Sequence, residues 1–141
     1  MLALLLNASV HAEEKRPDMR IAEIVDDLKQ QLGIPQPVEL KIVSRNRRAF
    51  SVEAARDHNS FVLLVSDRFL RELDEQEIAA AVAHELGHVW IYTHHPFLHT
   101  EALANEIAMC VMSRESLKKL YAKLRTFEES HTAGLSNFTH N

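Results

Sequence analysis

The sequence predicts an α+β fold, with a small mixed or antiparallel sheet packed on one buried helix and further helices at the N- and C-terminal ends. Three observations predict it. Residues 21–32 repeat apolar side chains at helical spacing, residues 38–65 hold short segments at strand spacing, and from residue 74 the chain returns to helix-forming sequence. A length of 141 residues suits one domain with a core of its own. The apolar share of 46% and charged share of 26% are those of a globular protein. A net charge of -4, with no run of Lys and Arg, argues against a nucleic-acid partner. The single cysteine, Cys110, excludes an intrachain disulfide and a cysteine-based metal cluster. Its apolar neighbours and helical position mark it as a packed core thiol.

In chain order, "PDMRIAEIVDDLKQQLGIPQP" predicts an amphipathic helix with Ile21, Ile24, Val25, Leu28 and Leu32 on one stripe. Pro17 suits its first turn, Gly33 its C-terminal cap, and Pro35 stops it. "VELKIV" (38–43) and "AFSVEAA" (49–55) alternate apolar and polar residues, as half-buried strands do. Residues 57–60 form a turn cluster, and "FVLLV" (61–65) is a strand buried on both faces or nearly so. These segments predict at least one hairpin. "SDRFLREL" (66–73) predicts a short helix. Asp74 and Glu77 then have the form of a capping box ahead of an alanine-rich helix, which must end near residues 93–95 because Pro96 follows. After a linker at 97–100, the chain is helix-compatible from about Thr100 to Arg125, with Leu103, Ile107, Cys110 or Val111, Leu117, Leu120 and Leu124 as a rough stripe.

The ends read differently. Residues 1–12, "MLALLLNASVHA", carry a short apolar run followed by small residues, the pattern of a signal segment whose basic start is missing. On that reading the protein is exported, to a periplasm or outside the cell; otherwise it is cytoplasmic. The run is too short to span a bilayer, and no other segment predicts a transmembrane helix. Residues 13–128 form the folded domain, and 129–141 have no clear period and predict a loose tail.

Within the alanine-rich helix stands "HELGH": His84, Glu85 and His88 make H-E-x-x-H. On a helix the two histidines are one turn apart and can converge on one ion. Glu85 lies about 100° around the helix, where it faces a water in an open coordination position rather than completing the tetrahedron. The segments "IAAAVA" and "VWIY" flank the motif, so the helix is mostly buried. Buried histidines and a glutamate need partners, and a shared metal supplies one. Zinc is the ion this pattern implies, one per chain, with Glu85 as general base. Gly87 lets a neighbouring element approach closely.

Zinc takes a third protein ligand. His94 lies six residues after His88, the metzincin spacing, but the position that should be a turn-forming glycine is the β-branched Ile91. His94, His95 and His99 therefore read as surface or loop histidines. Glu101 starts a helix thirteen residues after His88, and a helix–loop–helix can return it to the ion. Asn105, one turn later on the same face, can hold a zinc histidine by a hydrogen bond. Glu106 is the alternative carboxylate, about 140° around the helix from Glu101.

"FVLLVSDRFLRELDEQEIAAAVAHELGH" resembles the segment before and through the active helix of M48-type peptidases and their small gluzincin relatives. "EALAN" (101–105) resembles their downstream E-x-x-A-D, in which the glutamate is the third zinc ligand. The resemblance covers roughly residues 38–125 and implies a zincin-like minimal catalytic domain. It implies His84, His88 and Glu101 as ligands and Glu85 as base. Asn105 stands where that family usually has Asp, so the support to the histidine is neutral rather than anionic. The family also stabilises the oxyanion with a downstream Arg, His or Tyr, and Arg114, Tyr121, Arg125 and His131 all remain candidates.

The function expected is zinc-dependent hydrolysis of a peptide or protein substrate, by an endopeptidase that seats its substrate along the edge of "AFSVEAA" or "FVLLV". The alternative is a zinc-binding module, either non-catalytic or dependent on a partner. A fourth ligand such as His99 would favour that alternative, and the intact Glu85 argues against it.

Overall fold

The computed structural model describes residues 16–45, 48–94 and 99–136. The expected signal segment at 1–12 lies outside them. The order of elements is α1 (Pro17–Leu32), β1 (Val38–Val43), β2 (Phe50–Ala54), β3 (Phe61–Ser66), α2 (Asp67–Leu70), α3 (Glu75–Thr93), α4 (Glu101–Ala108) and α5 (Arg114–Ser136). The fold is α+β, as the sequence predicts. No helix among the described residues is long and apolar enough to cross a membrane.

Each boundary has a local cause. Pro17 opens α1, and Gly33 closes it at φ 66°, a left-handed conformation glycine adopts without strain. Ser66 caps α2 by accepting from the Phe69 N–H, and α2 is shorter than the 66–73 expected. The capping box of α3 is complete: Asp74 Oδ1 accepts from Glu77 N at 2.8 Å and Glu77 Oε2 accepts from Asp74 N at 3.0 Å. Lys123 Nζ of α5 donates to that same Glu77 oxygen at 2.6 Å and to Glu72 O at 2.6 Å, which ties the two helices together.

The three strands form one mixed sheet in the order β1–β3–β2. β1 runs parallel to β3, and β2 antiparallel to it in a hairpin whose register pairs Phe50 with Val65 and Ala54 with Phe61. β3 is central, and its Leu63 and Val65 are fully buried. That corrects one expectation: "FVLLV" has no open edge to offer a substrate, whereas β2 does. Ala49 and Ala55 bond to the β3 side, through Ser66 N and Ser60 O. Alternation along the strand then turns the N–H and C=O of Phe50, Val52 and Ala54 outward.

α3 is the axis of the core. It packs on α1, α4, α5 and β2, with Ala80, Ala83, Leu86 and Val89 buried among Ile21, Val25, Leu28 and Phe69. The run of small residues lets three helices approach it.

The C-terminal half differs from expectation in three ways. The helix expected from Thr100 to Arg125 is two helices, separated at 109–113. Ser113 makes the break, because its Oγ accepts from Ser116 N at 3.1 Å and starts α5 afresh. Cys110 falls in that break and is exposed rather than packed. α5 continues to Ser136, into the stretch read as an aperiodic tail. Phe127 explains part of this, since it is buried against Phe69 at a ring separation of 4.8 Å and anchors the helix beyond its apparent stripe.

Candidate metal centre

Two elements supply the site. α3 carries His84 and His88 on one face, with their Nε2 atoms 3.0 Å apart. α4 returns alongside and places Glu101 at its first position. Glu101 Oε2 lies 3.1 Å from His84 Nε2 and Oε1 lies 3.3 Å from His88 Nε2. One ligand atom from each residue lies within 4.8 Å of the others. A tetrahedral ion with bonds of about 2.0–2.1 Å holds its ligand atoms about 3.3 Å apart. The three donors therefore fit one metal ion.

Gly87 is the reason α4 can come so close. A Cβ built there would lie 2.5 Å from the carbonyl oxygen of Ala104, a backbone atom that cannot swing aside. The glycine between the two histidines thus sets the distance from which Glu101 reaches them. Thr100 caps α4 through Leu103 N at 3.1 Å and so fixes where the helix, and Glu101, begins.

The far nitrogens of both imidazoles are engaged. His84 Nδ1 is 2.8 Å from Asn105 Oδ1, the hydrogen bond expected one turn beyond Glu101. Asn105 Oδ1 also accepts from the Tyr121 hydroxyl at 2.8 Å, and that hydroxyl lies 3.0 Å from His84 Nδ1. With Asn105 accepting, His84 donates from Nδ1 and presents the Nε2 lone pair to the ion site. Burial pushes the Tyr121 phenol up, with Glu101 and Glu85 adding to it against the Asn105 hydrogen bond. His88 Nδ1 is 2.7 Å from His99 Nε2, with the two rings nearly coplanar at 20°. Burial and then the neighbouring His84 lower the His88 pKa, and Glu101 opposes them, so the ring favours the neutral form that binds metals.

Glu85 stands beside this set without joining it. It is 9% exposed and lines a cavity of about 590 Å³ together with His84, His88 and Glu101. Burial raises its carboxyl pKa to about 7, and the charge of Glu101 adds to the rise. The guanidinium of Arg48 and the backbone N–H of Val52 oppose it. The outward-facing edge of β2 thus meets the carboxylate directly.

The competing candidates lie elsewhere. The His94 ring stacks on Trp90 at 3.9 Å, with Nδ1 2.7 Å from Trp90 O, and does not join the ion site. His95 lies outside the described residues. His99 is exposed, as expected of a loop histidine, but it supports His88 rather than facing solvent alone. Glu106 is exposed and contributes no ligand atom to the cluster. Among Arg114, Tyr121, Arg125 and His131, Tyr121 alone lines the cavity, and its hydroxyl sits behind His84. His131 packs on Phe127.

Sequence reasoning missed Arg48 and the bond from His99 to His88. Arg48 lies in an ordinary polar stretch with no spacing signal, and His99 lies beyond the end of α3, which carries its partner.

Residues 15–140 match the sequence pattern described as "Peptidase family M48", nearly the whole chain. The chain belongs to peptidase family M48. Among curated proteins, this M48 chain is similar to "Protease HtpX homolog" of Pyrococcus furiosus, 31% identical over 83 residues, which are 59% of this chain and 27% of that protein. It is 37% identical over 67 residues to "Protease HtpX homolog" of a Sulfurihydrogenibium species, covering 48% of this chain and 22% of that one. The chain thus spans about a quarter of the length of the curated relatives it matches. In fold it resembles the metallopeptidase zymogen of Pyrococcus abyssi abylysin, with a TM-score of 0.58 and 18% identity, over 77% of this chain and 95% of that one. The zymogen of Methanocaldococcus jannaschii jannalysin gives a TM-score of 0.54 and 18% identity, over 75% and 94%. Both belong to the size class of this M48 domain, and both have its α+β architecture.

Proposed function

We propose that this M48 domain is a zinc endopeptidase, with His84, His88 and Glu101 as the ligands of one zinc ion and Glu85 as general base. One observation carries the reading. The three converging ligand atoms and the non-ligating carboxylate of Glu85 share a single cavity, bordered by a sheet edge with outward-facing peptide groups. A zinc ion held there supplies Lewis acidity that brings the pKa of water towards ~7 and polarises a carbonyl.

The chain's own residues do the rest. An extended peptide adds to the open edge of β2, where Phe50 and Ala54 present backbone groups. Glu85, oriented by Val52 N–H, accepts the proton of the attacking water and later delivers it to the leaving amine. Asn105 and Tyr121 hold His84, and His99 holds His88, so that neither imidazole rotates during turnover. The position of His99 also argues against a closed structural site: its Nε2 engages the back of His88 and does not converge with the ligand atoms.

The test pairs zinc content with casein hydrolysis. Glu85→Gln is expected to retain one zinc per chain and lose at least about 100-fold in kcat. Glu101→Ala is expected to lose both metal and activity. Full activity in Glu85→Gln, or unchanged zinc in Glu101→Ala, would overturn the assignment.

A further inference from the structure

The cavity extends past the metal ligands to an end that the hydrolytic chemistry does not use. Tyr92 follows His88 by one turn on the same helix face, lines the cavity and is 40% exposed. An exposed tyrosine is ordinarily free to move, but this one is held from two sides. Its ring meets Phe61 edge-on, with centroids 5.5 Å apart at 86°. Its hydroxyl lies 3.2 Å from His58 Nδ1. His58 is itself fixed at the tip of the β2–β3 hairpin, at φ 56°, in a turn where Asp57 Oδ1 accepts from Asn59 N at 3.0 Å and from Ser60 N at 3.1 Å.

Across the ladder from Phe61 stands Ala54, also in the cavity wall. Its methyl group is the smallest side chain of β2 and borders the same cavity as Phe61 and Tyr92. This end of the cavity therefore combines an aromatic wall held by contacts on two sides, a buried aliphatic floor at Val89 and a small β2 residue at Ala54. It lies along the same strand edge that presents the Ala54 peptide groups outward.

We propose that Tyr92 is a specificity-determining residue, and that Ala54, Phe61, Val89 and Tyr92 form a subsite for a large apolar side chain of the substrate. The proposal rests on the peptidase reading above. A peptide seated on β2 places alternate side chains towards the cavity, and one of them meets the Tyr92 ring. The side chain taken is aromatic or long aliphatic, at one fixed position relative to the scissile bond. Charged side chains are disfavoured, because Phe61 and Val89 offer them no partner and the Tyr92 hydroxyl is already engaged by His58.

The experiment uses the zinc-loaded chain and three peptide series, carrying Phe, Leu or Ala in turn at each position around one cleaved bond. The wild type is expected to prefer Phe and Leu at one position. Tyr92→Ala is expected to lower kcat/KM for those peptides about tenfold more than for the Ala peptides, and Tyr92→Phe to keep the preference. Zinc content and circular dichroism of each variant exclude loss of the site or of the fold. An equal loss on all peptides, or an unchanged preference in Tyr92→Ala, would overturn the subsite. Binding of the same peptides to Glu85→Gln, followed by calorimetry, separates the two readings. If the wild type cleaves nothing, the peptidase reading fails. The subsite then stands if Glu85→Gln binds Phe peptides more tightly than Ala peptides and adding Tyr92→Ala abolishes the difference, and it falls if no difference exists.

Discussion

Burial that raises its carboxyl pKa to about 7 makes Glu85 a reporter of its surroundings in the metal-free protein. In the metal-stripped protein its folded-state pKa lies above the ordinary value of 4.5, so between those values the folded chain holds a proton that the unfolded chain releases. Stability therefore falls as pH rises from about 4.5 to about 7 and is level above that range. His88, whose pKa is lowered, acts with the opposite sign below its ordinary value of 6.5, but it does so equally in a Glu85 variant. Urea unfolding of metal-free wild type and Glu85→Gln at pH 5 and pH 8 isolates the carboxyl group. The variant is expected to gain on the order of 3 kcal/mol relative to wild type between the two pH values. A pH-independent difference would show that the buried carboxyl finds compensation elsewhere. Asn105 offers a second test at this scale. Asn105→Ala strips His84 Nδ1 and the Tyr121 hydroxyl of their shared acceptor, and zinc affinity by competition with a chelator is expected to fall about 10–100-fold.

Two glycines separate two kinds of constraint on the helices. At Gly33 the constraint is conformational: φ is 66° and there is open space around the position, so Gly33→Ala is expected to cost about 1 kcal/mol of stability and leave metal binding unchanged. At Gly87 the constraint is contact with α4. A methyl group 2.5 Å from Ala104 O must push α4 away and take Glu101 with it. Gly87→Ala is expected to lower zinc affinity far more than it lowers the stability of the metal-free chain. Chelator competition and denaturant unfolding on the two variants check both halves of the comparison. Equal zinc affinity in Gly87→Ala and wild type would mean that α4 is positioned by something other than this contact.

At the level of the whole molecule, the ion site bridges α3 and α4, and α5 supplies Tyr121 from behind. Metal binding to the folded chain alone should therefore stabilise the entire cooperative unit rather than one helix. At free zinc about 100 times Kd the gain is about 2.7 kcal/mol, which raises Tm by several degrees. Removal of zinc by a chelator, followed by differential scanning calorimetry, is expected to lower a single transition. Loss of one part of the transition while the rest keeps its Tm would show that the C-terminal helices unfold separately.

The features whose causes are local follow from residue order alone. Proline, glycine and capping residues bound α1 and α3 within a residue or so, because caps and φ preferences act within one turn. The i, i+4 spacing of His84 and His88 determined their shared face for the same reason, and the break before Thr100 made a returning Glu101 legible. Tertiary structure decided what depends on contacts between distant segments. It made β3 central, which left β2 as the open edge, and it carried α5 past its visible stripe by burying Phe127 on Phe69. It brought His99 behind His88, Tyr121 behind His84 and Arg48 near Glu85, residues that no spacing connects. Periodicity describes one element at a time, whereas a site assembled from four elements exists only once the core has packed them together.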